Sequence, residues 1–101
     1  MEAWQERTAL LLGDDALQKL SASRALVVGL GGVGACAAEM LARAGLGHLT
    51  IVDADKLSES NINRQLIALH STVGKPKTEA LSSRLKDISP NLKISAVNEF
   101  I

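Results

Sequence analysis

The apolar residues of this chain fall into short blocks whose period changes along the sequence. Residues 2–12 mix acids with a leucine run and end at Gly13, which predicts a short helix stopped by glycine. Asp14 and Asp15 open a second helix reaching about Ser21, because carboxylates are favourable beside the unpaired N–H groups of a helix start. Ala25, Leu26, Val27 and Val28 are apolar at every position, the pattern of a parallel strand covered on both faces. After a glycine-rich stretch, Val33, Ala37, Met40, Leu41 and Ala44 recur at helical spacing, which predicts the buried face of the next helix, and Gly45 closes it. Residues 49–52 read as a second strand ending at Asp53. The stretch 56–74 is polar and irregular, with a short helix expected over 63–69. Pro76 suits a helix start, Leu81, Leu85 and Ile88 form that helix's apolar stripe, and Pro90 ends it. Residues 92–97 alternate and read as a third strand.

Strand, helix, strand, helix, strand implies parallel strands joined by right-handed crossovers. The expected fold class is therefore α/β: the N-terminal half of a Rossmann-like fold, a three-stranded parallel βαβαβ unit over residues 24–101, preceded by short helices in a segment 1–23. Strands of such a sheet are ordered 3-2-1, which places residues 25–28 at an edge. That edge would lack the charges and prolines that protect natural ones.

Composition narrows the possibilities. At 47% hydrophobic and 22% charged residues, the chain can support a core and is not of the disordered class. With 2% aromatics, that core has to be aliphatic. Eleven basic residues balance eleven acidic ones, so no electrostatic excess favours nucleic acid. No apolar run approaches the ~20 residues of a membrane span, and the opening residues lack the order of a secretion signal. A cytoplasmic protein with no membrane partner is expected. Cys36 has no cysteine to pair with and reads as a small packed residue. His48 and His70 have no partner at ligand spacing.

The candidate chemistry begins at Gly29, Gly31 and Gly34, with Gly32 between them: a G-x-G-x-x-G loop between a strand and a helix. Such a loop turns tightly, lets backbone approach a phosphate and packs helix against strand. Free N–H groups at the helix start favour an anion. Asp53, 19 residues beyond Gly34, stands where an acid can accept ribose hydroxyls, its side chain facing the ligand with little part in fold stability. Past the second strand come Ser60, Asn61, Ile62, Asn63, Arg64 and Gln65. Arg64 can fork onto a phosphate, or cap something local in its own loop. Lys77 falls in a predicted first helical turn, where the helix dipole disfavours a cation unless a polyanion is bound; Lys75 reads as a surface residue. An NAD-dependent oxidoreductase would explain the glycines and Asp53 but gives no role to Arg64 and Lys77. A non-catalytic nucleotide-binding fragment is the third reading.

Taken in order, residues 27–34 (VVGLGGVG), 53–55 (DAD), 60–65 (SNINRQ) and 72–77 (TVGKPK) resemble the ubiquitin-activating-enzyme-like superfamily, the ThiF/MoeB/HesA group of adenylating enzymes. Residues 4–13, 68–74 and 98–101 resemble its tRNA threonylcarbamoyladenosine dehydratase branch. The resemblance implies ATP and Mg2+ as cofactors, a homodimer, and tRNA as the substrate whose carboxylate is adenylated. It implies that Asp53 holds the ATP ribose and that Asn61, Arg64, Gln65 and Lys77 surround the nucleotide, with Asp55 a nearby acid. Arg64 and Lys77 would assist the chemistry at the phosphates. Arg7 would reach a dimer partner's phosphates, or else serve as a surface salt-bridge partner. The family's magnesium-binding aspartate and any catalytic cysteine lie downstream of the third strand, so no metal ligand is expected in this stretch, which by itself is expected to be inactive.

Overall fold

The computed structural model describes residues 2–100. A 3-10 turn over Ala3–Gln5 leads into α1 (Glu6–Leu12), which Gly13 stops at a φ of +86°. Helix α2 (Asp14–Ala22) follows with both acids in its first turn. Strand β1 (Arg24–Val28), helix α3 (Gly32–Ala44), strand β2 (His48–Val52), helix α4 (Lys77–Ile88) and strand β3 (Lys93–Val97) complete the chain. The sheet is parallel throughout, in the order β1-β2-β3, so β1 is an edge as expected. The three-stranded βαβαβ unit behind short helices is present. Among the described residues no helix is long and apolar enough to cross a membrane.

The register shows where the core lies. Ala25, Leu49 and Ile94 share one row, and Val27, Ile51 and Ala96 the next. This face meets α3 and α4, whose Ala35, Ala38, Ala42, Leu81 and Leu85 are fully or almost fully buried. The other face carries Arg24, His48 and Lys93 in one row and Leu26, Thr50 and Ser95 in the next. Leu26 is 61% and Val28 55% exposed. The expectation that β1 is covered on both faces is therefore wrong for this chain, because both crossover helices lie on the same side of the sheet.

Three further expectations are corrected. Helix α3 packs through its alanines, while Val33, at 86% exposure, and Met40 point outward. Small residues let the helix axis approach the sheet, and side-chain size then matters more than hydrophobicity in choosing the buried stripe. Cys36 is exposed on α3 instead of packed. The helix expected over 63–69 is replaced by a 3-10 turn at Glu59–Asn61 followed by turns. There the Asn61 side chain accepts the Ser58 N–H at 2.9 Å and closes a local cap, which competes with continued helix.

Candidate nucleotide site

The glycine loop leaves β1 at Gly29, which has a φ of +87° and donates its N–H to the Val52 carbonyl at 2.8 Å. The loop is thus fastened to the end of β2 while the chain reverses into α3. Gly34 marks the tightest approach. A Cβ there would stand 1.7 Å from the Gly29 carbonyl oxygen, so only hydrogen fits between the first turn of α3 and the end of β1. No side chain caps α3, which leaves N–H groups of its first turn available to an anion.

Asp53 follows the last residue of β2. Its Oδ2 accepts the Leu30 N–H at 2.7 Å and its Oδ1 accepts the Asp55 N–H at 2.7 Å. The carboxylate thus ties the glycine loop to the segment beyond β2, a structural part that the expectation from sequence did not give it. Each oxygen keeps a second lone pair for another donor. The Asp55 carbonyl in turn accepts the Lys77 N–H at 3.0 Å. A continuous relay of hydrogen bonds therefore runs from Leu30 through Asp53 and Asp55 to the first residue of α4.

Lys77 is only 7% exposed, and among the described residues its ammonium makes no hydrogen bond or ion pair. Its stem is buried, and a cation at a helix start is unfavourable unless an anion joins it. The turn carrying residues 61–65 lies against the glycine loop: a Cβ on Gly32 would be 3.5 Å from the Arg64 carbonyl oxygen, and one on Gly31 would be 4.0 Å from Gln65 Nε2. Gln65 is buried and its Oε1 has no partner. An orphaned amide oxygen beside a phosphate-type loop is a group awaiting a donor.

The side chains of the other charged candidates make no hydrogen bond to the glycine loop among the described residues. The exposed Arg64 guanidinium donates from Nη1 to the Ser60 carbonyl at 3.0 Å and to Asn63 Oδ1 at 2.9 Å, within its own loop. Arg7 lies exposed on α1, and among the described residues no hydrogen bond or ion pair joins it to the glycine loop. Asp55 is exposed. No group of three or more histidine, cysteine or acidic side chains is placed to hold a metal among the described residues. Sequence reasoning missed the Leu30 N–H as a partner of Asp53, a contact no spacing rule announces. It also missed the cap at Ser58, which the S-x-x-N pattern of residues 58–61 could have signalled.

The parallel sheet, the glycine loop at the end of its first strand and the acid at the end of its second define a Rossmann-like α/β protein. Within that class the chain belongs to the ThiF family, which matches residues 5–101. It is 42% identical to the tRNA threonylcarbamoyladenosine dehydratase of Escherichia coli K12, over 99% of this chain and 38% of the relative. With the Bacillus subtilis enzyme of that name it shares 45% identity, over 93% of this chain and 37% of the relative. Molybdopterin-synthase adenylyltransferase of E. coli is 44% identical over 86% of this chain and 35% of its own length. The solved E. coli tRNA N6-threonylcarbamoyladenosine dehydratase in complex with ATP superposes with a TM-score of 0.93 at 41% identity, covering 100% of this chain and 43% of that one. The same enzyme in complex with AMP gives the same score. The chain thus spans about two fifths of the length of these relatives.

Proposed function

We propose that this chain is the ATP-binding part of an enzyme that activates a carboxylate as an acyl-adenylate, and that the carboxylate is that of threonylcarbamoyladenosine in tRNA, cyclised with loss of water. The observation that carries the reading is the relay joining the glycine loop through Asp53 and Asp55 to a buried, unpaired Lys77. The solved relative bound to ATP supports the choice of nucleotide. An oxidoreductase binding NAD leaves Lys77 without a role.

In this reading Asp53 accepts the ribose hydroxyls with its free lone pairs, and Gly29, Gly31, Gly32 and Gly34 let the backbone approach the phosphates. Asn61 and Gln65 line the nucleotide, and Asp55 positions the start of α4. Arg64 exchanges its local partners for phosphate oxygens, and Lys77 meets the same anion. A substrate carboxylate oxygen bonds to the α-phosphorus as the bond from that phosphorus to the departing pyrophosphate oxygen breaks. The carboxylate is already ionised and pyrophosphate leaves as an anion, so no proton has to move. Orientation and fixed positive charge are the contributions this chain makes. Magnesium would offset phosphate charge; from this chain's own residues, Arg64 and Lys77 do so. A homodimer would bring Arg7 to the partner's phosphates, and a cytoplasmic location suits a tRNA substrate.

Calorimetric titration tests the reading. ATP should bind more tightly than NAD, and Lys77→Met should weaken ATP by about 1.5–3 kcal/mol, the range for a charge-assisted bond, while leaving adenosine unaffected. Tighter binding of NAD would overturn it.

A further inference from the structure

A cavity lies at the opposite end of the sheet from the glycine loop. It occupies about 510 Å³ beside the amino ends of β2 and β3. Its apolar floor is Leu17, Leu46 and Leu92, all buried. The N-terminal 3-10 turn is tied across to the α4–β3 turn, where Asn91 Nδ2 donates to Glu2 Oε1 at 3.1 Å. The volume is within the range of small-molecule sites, roughly 300–1,000 Å³.

The electrostatics of this cavity have one sign. Ser21, Gly45 and Ser89 on its wall belong to or directly follow the last turns of α2, α3 and α4. In a parallel βαβ arrangement the helices run opposite to the strands, so their C-terminal ends gather where the strands begin. Each end carries a partial negative charge. Glu2 and Asp14 add two carboxylates to the lining, and among the lining residues there is no lysine, arginine or histidine. Trp4 supplies an aromatic wall, partly open to solvent. Carboxylates and helix C-termini attract a cation, an indole face adds cation–π attraction, and an apolar floor accepts hydrocarbon.

We propose that this cavity is a second binding site, for a small organic cation: an ammonium or guanidinium group carried on a short apolar body. The site is independent of the nucleotide reading, since it shares no residue with the glycine loop or the relay behind it. A hydrated metal ion would gain nothing from Trp4 or the leucine floor, whereas an alkylammonium uses both.

Trp4 is the protein's one tryptophan and the chain has no tyrosine, so intrinsic fluorescence reads this cavity directly. The 101-residue chain is titrated at constant ionic strength with tetramethylammonium, putrescine and agmatine, and in parallel with the neutral counterparts tert-butanol and 1,4-butanediol. At least one cation should give a saturable change in Trp4 emission with a Kd of ~1 mM or tighter, about 4 kcal/mol of binding, and the neutral counterpart should bind at least about tenfold more weakly. The Glu2→Gln, Asp14→Asn double variant should lose about tenfold in cation affinity. No saturable change with any of the cations would overturn the proposal. So would neutral compounds binding as well as cations, a comparison made on the unmodified protein and so independent of how the variant folds.

Discussion

Asp53 shows how one side chain can serve the fold and the site together. Its two oxygens hold the N–H groups of Leu30 and Asp55, and both bonds are charge-assisted. Asp53→Ala leaves those donors without a partner. The expected loss is about 2 kcal/mol of unfolding free energy, measured by urea titration without nucleotide, because bonds to charged groups contribute roughly 1.5–3 kcal/mol and this side chain is partly solvated. ATP affinity should fall as well. Unchanged stability would mean that water replaces the carboxylate at no cost. Lys77 behaves differently. Its position at the first residue of α4 sets the ammonium against the helix dipole, while its stem is buried. Lys77→Met keeps the stem and removes the charge, so the empty protein should be as stable or more stable by about 0.3–1 kcal/mol, with ATP binding impaired. Lys77→Ala should be less stable than the methionine variant, since it also empties packed space. Thermal melting of the two variants separates charge from packing. The identities of both residues as candidates were legible in the sequence, one from its distance to the glycines and the other from its place after Pro76. Their partners were not, because a backbone N–H leaves no mark on a sequence.

Between elements, two features hold the layers together, and the sequence reading found neither. Gly47 precedes β2, donates its N–H to the Leu20 carbonyl at 3.1 Å and accepts from the Lys93 N–H at 3.0 Å. A Cβ on Gly47 would sit 1.7 Å from the Ser21 carbonyl oxygen. It joins the N-terminal helices to the sheet, yet it lies outside any motif and after a glycine already explained as a helix stop. Glu39 is the other. On α3 it is only 5% exposed; it accepts from Arg84 of α4, and from Arg43 one turn on at 3.2 Å. Read by period, position 39 is polar and belongs outside; two arginines from separate turns and helices allow it inward. The Arg84 hydrogen bond, helped by that of Arg43 and opposed by burial, holds the Glu39 carboxyl below its usual 4.5. A folded-state pKa below the unfolded value means the unfolded chain takes up the proton first. The contribution is therefore complete above the unfolded value and disappears as pH falls through the folded one. Urea midpoints should drop more steeply below pH 4.5 in the natural protein than in Glu39→Gln. Equal acid slopes would show that the α3–α4 link adds no pH dependence.

For the whole molecule, the order of the strands and of the helices between them was legible from the strand, helix and turn signals, although the helix expected over 63–69 is absent. Which faces are covered was not, since coverage depends on where both crossover helices land. Among the described residues, edge strand β1 pairs only with β2, so the N–H and C=O groups of its outer side are unpaired there. Its Leu26 and Val28 are exposed, and Arg24 at its start is the one charge it carries. Natural edges are blunted by more than this. An isologous antiparallel pairing of two β1 strands, centred on Leu26, would set Leu26 against its own copy and each Arg24 against the other chain's Val28, keeping the two arginines at opposite ends. Like charges directly opposite one another across strands are destabilising. Light scattering should therefore show a mass rising above 10.7 kDa with concentration for the unsubstituted 101-residue chain. Leu26→Lys, which would face itself across the twofold axis, should remain monomeric, and so should Leu26→Glu. An equimolar mixture of the two variants should associate again, since lysine then faces glutamate. Raising the salt should weaken the mixed pair, whose contact is ionic and exposed, and leave the natural pair largely intact. An unsubstituted 101-residue chain that stays at 10.7 kDa at every concentration would show that the β1 edge is satisfied by water alone. Association that survives in each variant separately would move the contact away from β1, to the exposed Leu10 and Leu11 of α1.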